Sequence, residues 1–150
     1  LLDGAPKAGQ GADMSKEREE GPQLALDFTK LESVAAGGYK VIPAVAQDAE
    51  TGAVLMLGYV NELALAEARR LGKAVFWSTS RGELWIKGAS SGDWLELVDI
   101  RVNCEQNSLL YRVRPQGSGV CHTRNADGTA RSSCYYRKIE GDGLAYVDDC

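Results

Sequence analysis

Long hydrophobic runs are missing from this 150-residue chain: no apolar stretch approaches the roughly 20 residues that a membrane-spanning helix needs. The N-terminus also lacks the basic, apolar and small-residue order of a secretory signal, so the expected location is cytoplasmic. Positive charge is not in excess. With 17 Lys and Arg against 21 Asp and Glu, the formal net charge is −4, and the protein as a whole has no electrostatic reason to seek nucleic acid or an anionic membrane. Any phosphate it binds must meet a local basic cluster. Close Cys-x-x-Cys pairs are absent as well, which sets the four cysteines apart from zinc-finger and ribbon spacing. In a reducing compartment they read as free thiols or metal ligands rather than as a disulfide framework.

What is present suits one compact soluble domain, with 44% hydrophobic and 25% charged residues. Residues 1–23 combine Gly, Ala, Pro, Lys and Glu with almost no large apolar side chain, and are expected to form a disordered tail. Residues 24–140 should form the domain, and 141–150 a C-terminal tail. Leu26, Phe28 and Leu31 are spaced like one face of a short helix or turn. Residues 39–47 read as a strand, Asp48 to Gly52 as a turn, and 54–60 as the second arm of a hairpin. Asn61 is an N-cap, Leu63, Ala66 and Arg70 leave an Ala/Leu face, and Gly72 is a C-cap, which makes this the main helix. Short strands follow at 74–78, 83–87, 94–102, 109–113 and 135–139. Within them Val98, Ile100 and Val102 alternate with polar residues as in a half-buried strand. The expected fold is a sheet-dominated α+β single domain with one main helix.

Three features carry chemistry. Cys104, Cys121 and Cys134 each sit at a strand edge, so three distant thiols can converge on one metal and leave a coordination position for water. On spacing alone, ordinary buried cysteines are the favoured reading, since free Cys is among the most buried residue types. Cys150 has no partner motif and reads as incidental. His122, the only histidine, follows Cys121 directly. Adjacent side chains seldom bind one ion comfortably, so its expected role is general acid or base. A third cluster comprises Trp77, Ser78, Ser80 and Arg81, then Trp85, Lys87 and Gly88, then Ser90 and Ser91. Hydroxyls, two cations and glycine amides suit an anionic phosphate, and the tryptophans offer flat faces to a base. A solvated serine-rich hairpin with no ligand is the plain alternative.

Taken in order, the segments resemble the phosphoribosyl-AMP cyclohydrolases from about Leu26 to Arg137. The resemblance rests on Ile42-Pro43-Ala44 with Gln47-Asp48, Thr51-Gly52 and Val54-Leu55-Met56-Leu57 running to Tyr59 and Asn61. It continues through Trp77-Ser78-x-Ser80-Arg81, Leu84-Trp85-x-Lys87-Gly88 and Ser90-Ser91-Gly92. Cys104, Cys121-His122-Thr123 and Ser133-Cys134-Tyr135-Tyr136-Arg137 complete it. The resemblance implies an interwoven homodimer, zinc held by Cys104 of one subunit with Cys121 and Cys134 of the other, and His122 beside the metal. It further implies a phosphate pocket around Arg81 and Lys87. The implied activity opens the purine ring of 1-(5-phosphoribosyl)-AMP at the N1–C6 bond in histidine biosynthesis.

Two departures stand out. The family usually surrounds its first ligand cysteine with alternating aspartates that hold magnesium, whereas this chain has Asn103-Cys104-Glu105-Gln106-Asn107. Amide oxygens are weaker ligands for a hard dication than carboxylates, which puts a dedicated magnesium site in doubt. Glu105 alone can at most give a weak second-metal contact. The segment 124–133 is also longer than the family's usual link between the last two cysteines, although added loop length costs little closure entropy. Two competing readings follow: a paralogue that uses the same zinc on another N-ribosylated or amidine-containing heterocycle, and a non-catalytic zinc-stabilised module.

Overall fold

Residues 16–147 are described by the structure, a computed structural model. The expected N-terminal tail therefore divides. Residues 1–15 lie outside the described part, and 16–20 are helical, with hydrogen bonds tying this segment to the far end of the chain. Helix α1 (Lys30–Ala36) follows; it buries only Val34, and Phe28 and Leu31 just before and within it stay exposed. The face drawn from Leu26, Phe28 and Leu31 thus has no cover in the protomer.

Strands β1 (Ile42–Asp48) and β2 (Val54–Val60) form the expected antiparallel hairpin. Its turn is fixed by the Asp48 carboxylate, which accepts the N–H groups of Glu50 and Thr51 at 2.8 and 3.2 Å. Gly52 then takes φ 79°, a conformation that glycine adopts without a Cβ penalty. Pro43 is tolerated in β1 because pairing with the next parallel neighbour starts one residue later, at Ala44.

Helix α2 (Glu62–Leu71) is bounded as its caps predict. The Asn61 side chain accepts from Ala64 N–H at 2.9 Å, and Gly72, at φ 68°, donates its N–H to the Ala68 carbonyl. Its buried face differs from expectation. Ala64 and Ala68 are the fully buried positions, while Leu63 and Ala66 point outward. Two alanines let the helix lie close on β3 (Val75–Ser78), where a leucine stripe would hold it away.

Strand β3 pairs antiparallel with β4 (Glu83–Ile86) in a separate ribbon. The main sheet is completed by β5 (Leu95–Val102) and β6 (Leu109–Pro115), in the order β2-β1-β6-β5, with β1 and β6 parallel and the other pairs antiparallel. The core gathers Phe76, Val75, Leu95, Tyr111, Val113, Val60 and Val120 between sheet, ribbon and α2. The Tyr111 hydroxyl donates to the Val75 carbonyl at 3.1 Å, which ties sheet to ribbon. A final hairpin, β7 (Arg137–Glu140) with β8 (Gly143–Tyr146), replaces the loose end expected from 141 onward; residues 148–150, Cys150 among them, lie outside the described part. The described fold is a sheet-dominated α+β domain.

Val98 and Val102 on β5 are not half-buried. Both are exposed on an edge strand, as are Val54 and Leu57 on the opposite edge strand β2. Among the described residues no helix is long and apolar enough to cross a membrane.

Candidate metal centre and active site

The loop after β6 sets the position of Cys121. Gly119 brings the chain so close to the next segment that a Cβ there would sit 2.2 Å from the Ala130 carbonyl oxygen. The N–H groups of Val120 and Cys121 then both donate to the Arg131 carbonyl at 2.9 Å, and Arg131 N–H returns a bond to the Thr123 carbonyl. Between these arms lies the long 124–133 segment, closed by Asn125 N–H to the Thr129 carbonyl and by Asp127, which accepts from the Thr129 N–H and hydroxyl. The extra length forms its own small turn, with Gly128 at φ 86°.

Cys134 is fixed against β2: its N–H donates to the Leu55 carbonyl at 2.7 Å, and the Ser133 hydroxyl to the Val54 carbonyl at 2.8 Å. The two cysteines line the same cleft and influence each other's protonation. Cys121 also accepts from the Thr123 hydroxyl at 3.1 Å. The neighbouring Cys134, followed by the bonds from Thr123, holds the Cys121 thiol well below its ordinary pKa. Cys134 is pushed up, chiefly because the proton that Cys121 gives up stays with it, although the residue itself is exposed. One sulfur of the pair is therefore a thiolate in waiting, and two adjacent soft donors of this kind fit zinc.

The third cysteine lies elsewhere. Cys104 is exposed in the β5–β6 turn, and among the described residues no group of three or more His, Cys, Asp or Glu side chains is arranged to hold a metal within one chain. Glu105 accepts from the Asn107 side chain at 3.1 Å in the same turn.

Cys121 and Cys134 open into a cleft of about 160 Å³ that is also lined by His122, Trp85, Lys87, Gly88 and Ser91. Two roomier surface concavities, about 610 and 700 Å³, have neither cysteine nor histidine in their walls, so size and chemistry point to different places. Chemistry decides, since the small cleft brings Cys121, Cys134, His122 and Lys87 together. Lys87 is almost completely buried, with its ammonium donating to the Asp93 carbonyl at 2.8 Å. Burial lowers its pKa, and the neighbouring Asp93 and cysteines oppose that shift.

The sequence-derived serine–lysine cluster splits along the β3–β4 ribbon. Trp85, Lys87, Gly88 and Ser91 face the cleft, and Ser90 is exposed in the turn beside them. Trp77, Ser78, Ser80 and Arg81 occupy the opposite end of the ribbon. There Ser78 Oγ accepts from the Arg81 N–H and guanidinium, Arg81 pairs with Glu83 at 3.3 Å, and Trp77 packs edge-on against Tyr39. Sequence reasoning missed Asp93, Arg124 and Glu19. Asp93 and Arg124 line the cleft; Asp93 is buried and accepts from Ser118 N–H at 3.0 Å. Glu19 contacts the His122 ring at 2.6 Å. Only Asp93 carried a signal, as a lone acid placed between a turn glycine and a tryptophan.

Comparison with known proteins gives the family. The sequence profile of the family described as phosphoribosyl-AMP cyclohydrolase matches residues 56–136, which contain both paired cysteines, His122 and the whole β3–β4 ribbon. A phosphoribosyl-AMP cyclohydrolase of Hyphomonas neptunium is 47% identical over 107 residues, 71% of this chain and 76% of that protein. One from Sphingopyxis alaskensis is 46% identical over 110 residues, covering 73% and 82%. One from Methanothermobacter thermautotrophicus is 45% identical over 112 residues, covering 75% and 76%. With a profile match over more than half its length and such identity to bacterial and archaeal relatives alike, the chain belongs to the phosphoribosyl-AMP cyclohydrolase family, and so among the hydrolases.

Proposed function

We propose that this protein hydrolyses the N1–C6 bond of 1-(5-phosphoribosyl)-AMP at a zinc centre shared between two copies of the chain, in the histidine-forming sequence of reactions. The observation that carries the reading is the meeting of Cys121 and Cys134, the first held well below its ordinary pKa, in one cleft that His122 and Lys87 also line. Two thiols do not complete a zinc site. Cys104 of the partner subunit is the third donor in this reading, supported by its exposure in one protomer and by the uncovered apolar side chains Val54, Leu57, Val98 and Val102 on the two edge strands.

Bound there, zinc supplies the chemistry of a nucleophile made from water at neutral pH. The chain's own groups do the rest. Trp85 offers a flat wall to the purine, and Lys87 presents buried positive charge toward the substrate's anionic end. His122 takes the proton released as water adds to C6, and delivers it to N1. The C6–N1 electron pair leaves with N1, C6 keeps the new oxygen and its exocyclic nitrogen as a carboxamide, and N1 remains attached to its ribosyl group. One water is consumed and no redox partner is needed.

The test is substrate conversion followed by absorbance, using zinc-loaded protein, the metal-free protein and His122→Ala. Turnover by the loaded enzyme, with none by the other two, supports the proposal. A wild-type rate from His122→Ala removes the histidine from the mechanism, and no conversion by any form sinks the assigned substrate.

A further inference from the structure

The N-terminal segment has the composition of a tail, yet five successive backbone carbonyls in it each accept a bond from the end of the chain. Arg137 donates to the Arg18 and Gly21 carbonyls at 2.8 and 3.0 Å. Between them, the Tyr136 hydroxyl donates to the Glu19 carbonyl and the Tyr146 hydroxyl to the Glu20 carbonyl. Leu144 N–H donates to the Pro22 carbonyl at 2.8 Å. Arg131 lies over both tyrosine rings, 4.3 and 5.3 Å from their centroids, and meets the Glu20 carboxylate at 3.5 Å. Donors from three residues and one backbone amide thus fix the path of 18–22, and so the direction in which the Glu19 side chain leaves it.

That side chain reaches the active-site rim: Glu19 Oε1 lies 2.6 Å from Nε2 of His122. We infer that Glu19 is a positioning residue for His122, and that the N-terminal segment is a strap that delivers it. With the carboxylate as acceptor, Nε2 is the donating nitrogen of this contact. In the neutral ring, Nδ1 is then the nitrogen with a free lone pair, and the tautomer is selected along with the ring orientation. An exposed histidine without such a partner would sample rotamers and both tautomers. The inference rests on the reading of His122 as the proton-handling group.

The experiment compares Glu19→Gln, Glu19→Ala and His122→Ala in the full chain, zinc-loaded, measuring kcat, KM, zinc content and melting temperature. Because His122 is the only histidine, its ring nitrogens give a single unambiguous set of ¹⁵N resonances. The expected result is a kcat lower by roughly 10- to 100-fold in both Glu19 variants, by analogy with the range for losing the partner that orients a metal-bound histidine. KM, zinc content and melting temperature stay at wild-type values, and the ring nitrogens lose the single Nε2-protonated pattern. Wild-type kcat in the Glu19 variants alongside an inactive His122→Ala overturns this inference and leaves the proposed function standing. Wild-type kcat in His122→Ala overturns the role of the histidine itself. A kcat loss that merely tracks falling zinc content or melting temperature assigns Glu19 to folding and also overturns the inference.

Discussion

Asn103 and Asn107 hold each other across the β5–β6 turn. Asn103 Nδ2 donates to Asn107 Oδ1 at 2.7 Å, while Asn103 Oδ1 accepts the N–H groups of Asn107 and Ser108 at 2.9 and 3.0 Å. The remaining Asn107 N–H bond goes to Glu105. Both amides are thus consumed by the turn, which also forces Gln106 to φ 55°. A hard dication would find weak oxygens already engaged. Adding magnesium to the zinc-loaded enzyme is therefore expected to change kcat by no more than about twofold, the residue of chelation by substrate. Converting both asparagines to aspartate should break the interlock and create a magnesium dependence. A strong magnesium requirement in the unaltered protein would contradict this.

A metal site shared between protomers makes a quantitative prediction. Cys104→Ser and Cys121→Ser should each lose zinc and activity. If the chain pairs as proposed, co-refolding in equal amounts gives mixed dimers in which one of the two sites has all three sulfurs. About a quarter of wild-type activity should return, since about half the dimers are mixed and each has one intact site. Zinc per dimer should recover in the same proportion. If the three thiols served within a single chain, mixing would restore nothing.

Much of this fold is legible in the sequence because its determinants are local. Asn61 and Gly72 cap α2 with bonds inside the same few residues, and the Asp48 to Gly52 turn is equally self-contained. The ordering of residues 16–22 was not legible. It depends on Tyr136, Arg137 and Tyr146, more than a hundred residues away, bonding to carbonyls that any sequence would offer. The buried face of α2 escaped for a different reason. Leu63 and Ala66 form a more hydrophobic face than Ala64 and Ala68, but close approach to β3 favours small side chains over apolar ones. Within the candidate site, residue type marked out Cys121, Cys134 and His122. Their meeting with Lys87 rests on the Gly119 crossing and on the bond from Cys134 to Leu55, neither of which leaves a pattern in the sequence.

Tyr111 gives the stability a pH dependence. Its ring is fully buried and burial pushes its phenol pKa up, so the folded state keeps the proton after the unfolded chain has released it. The stabilisation is complete below the unfolded value near 10 and is lost as pH rises toward the folded value, with a slope of up to about 1.4 kcal/mol per pH unit. Denaturant unfolding of Tyr111→Phe should show a cost of about 1 kcal/mol at neutral pH, from the lost bond to the Val75 carbonyl. Above pH 10 the variant should fall less steeply than wild type. Parallel curves would rule out Tyr111 as the source.

Gly119 and Gly128 separate the two demands that a loop can make on glycine. At Gly128 the demand is conformational: φ is 86° and open space surrounds the position, so Gly128→Ala should cost about 1 kcal/mol and leave zinc binding intact. At Gly119 the demand is space. A methyl group would collide with the backbone of Ala130 and Arg131, and the same crossing aligns Cys121 with Cys134. Backbone cannot rotate aside as a side chain does, so Gly119→Ala should cost at least about 1–3 kcal/mol. It should also weaken zinc binding, although residue 119 contributes no ligand. Competition with a chromophoric chelator measures that loss directly; affinities indistinguishable between Gly119→Ala and Gly128→Ala would show that the crossing does not set the thiol geometry.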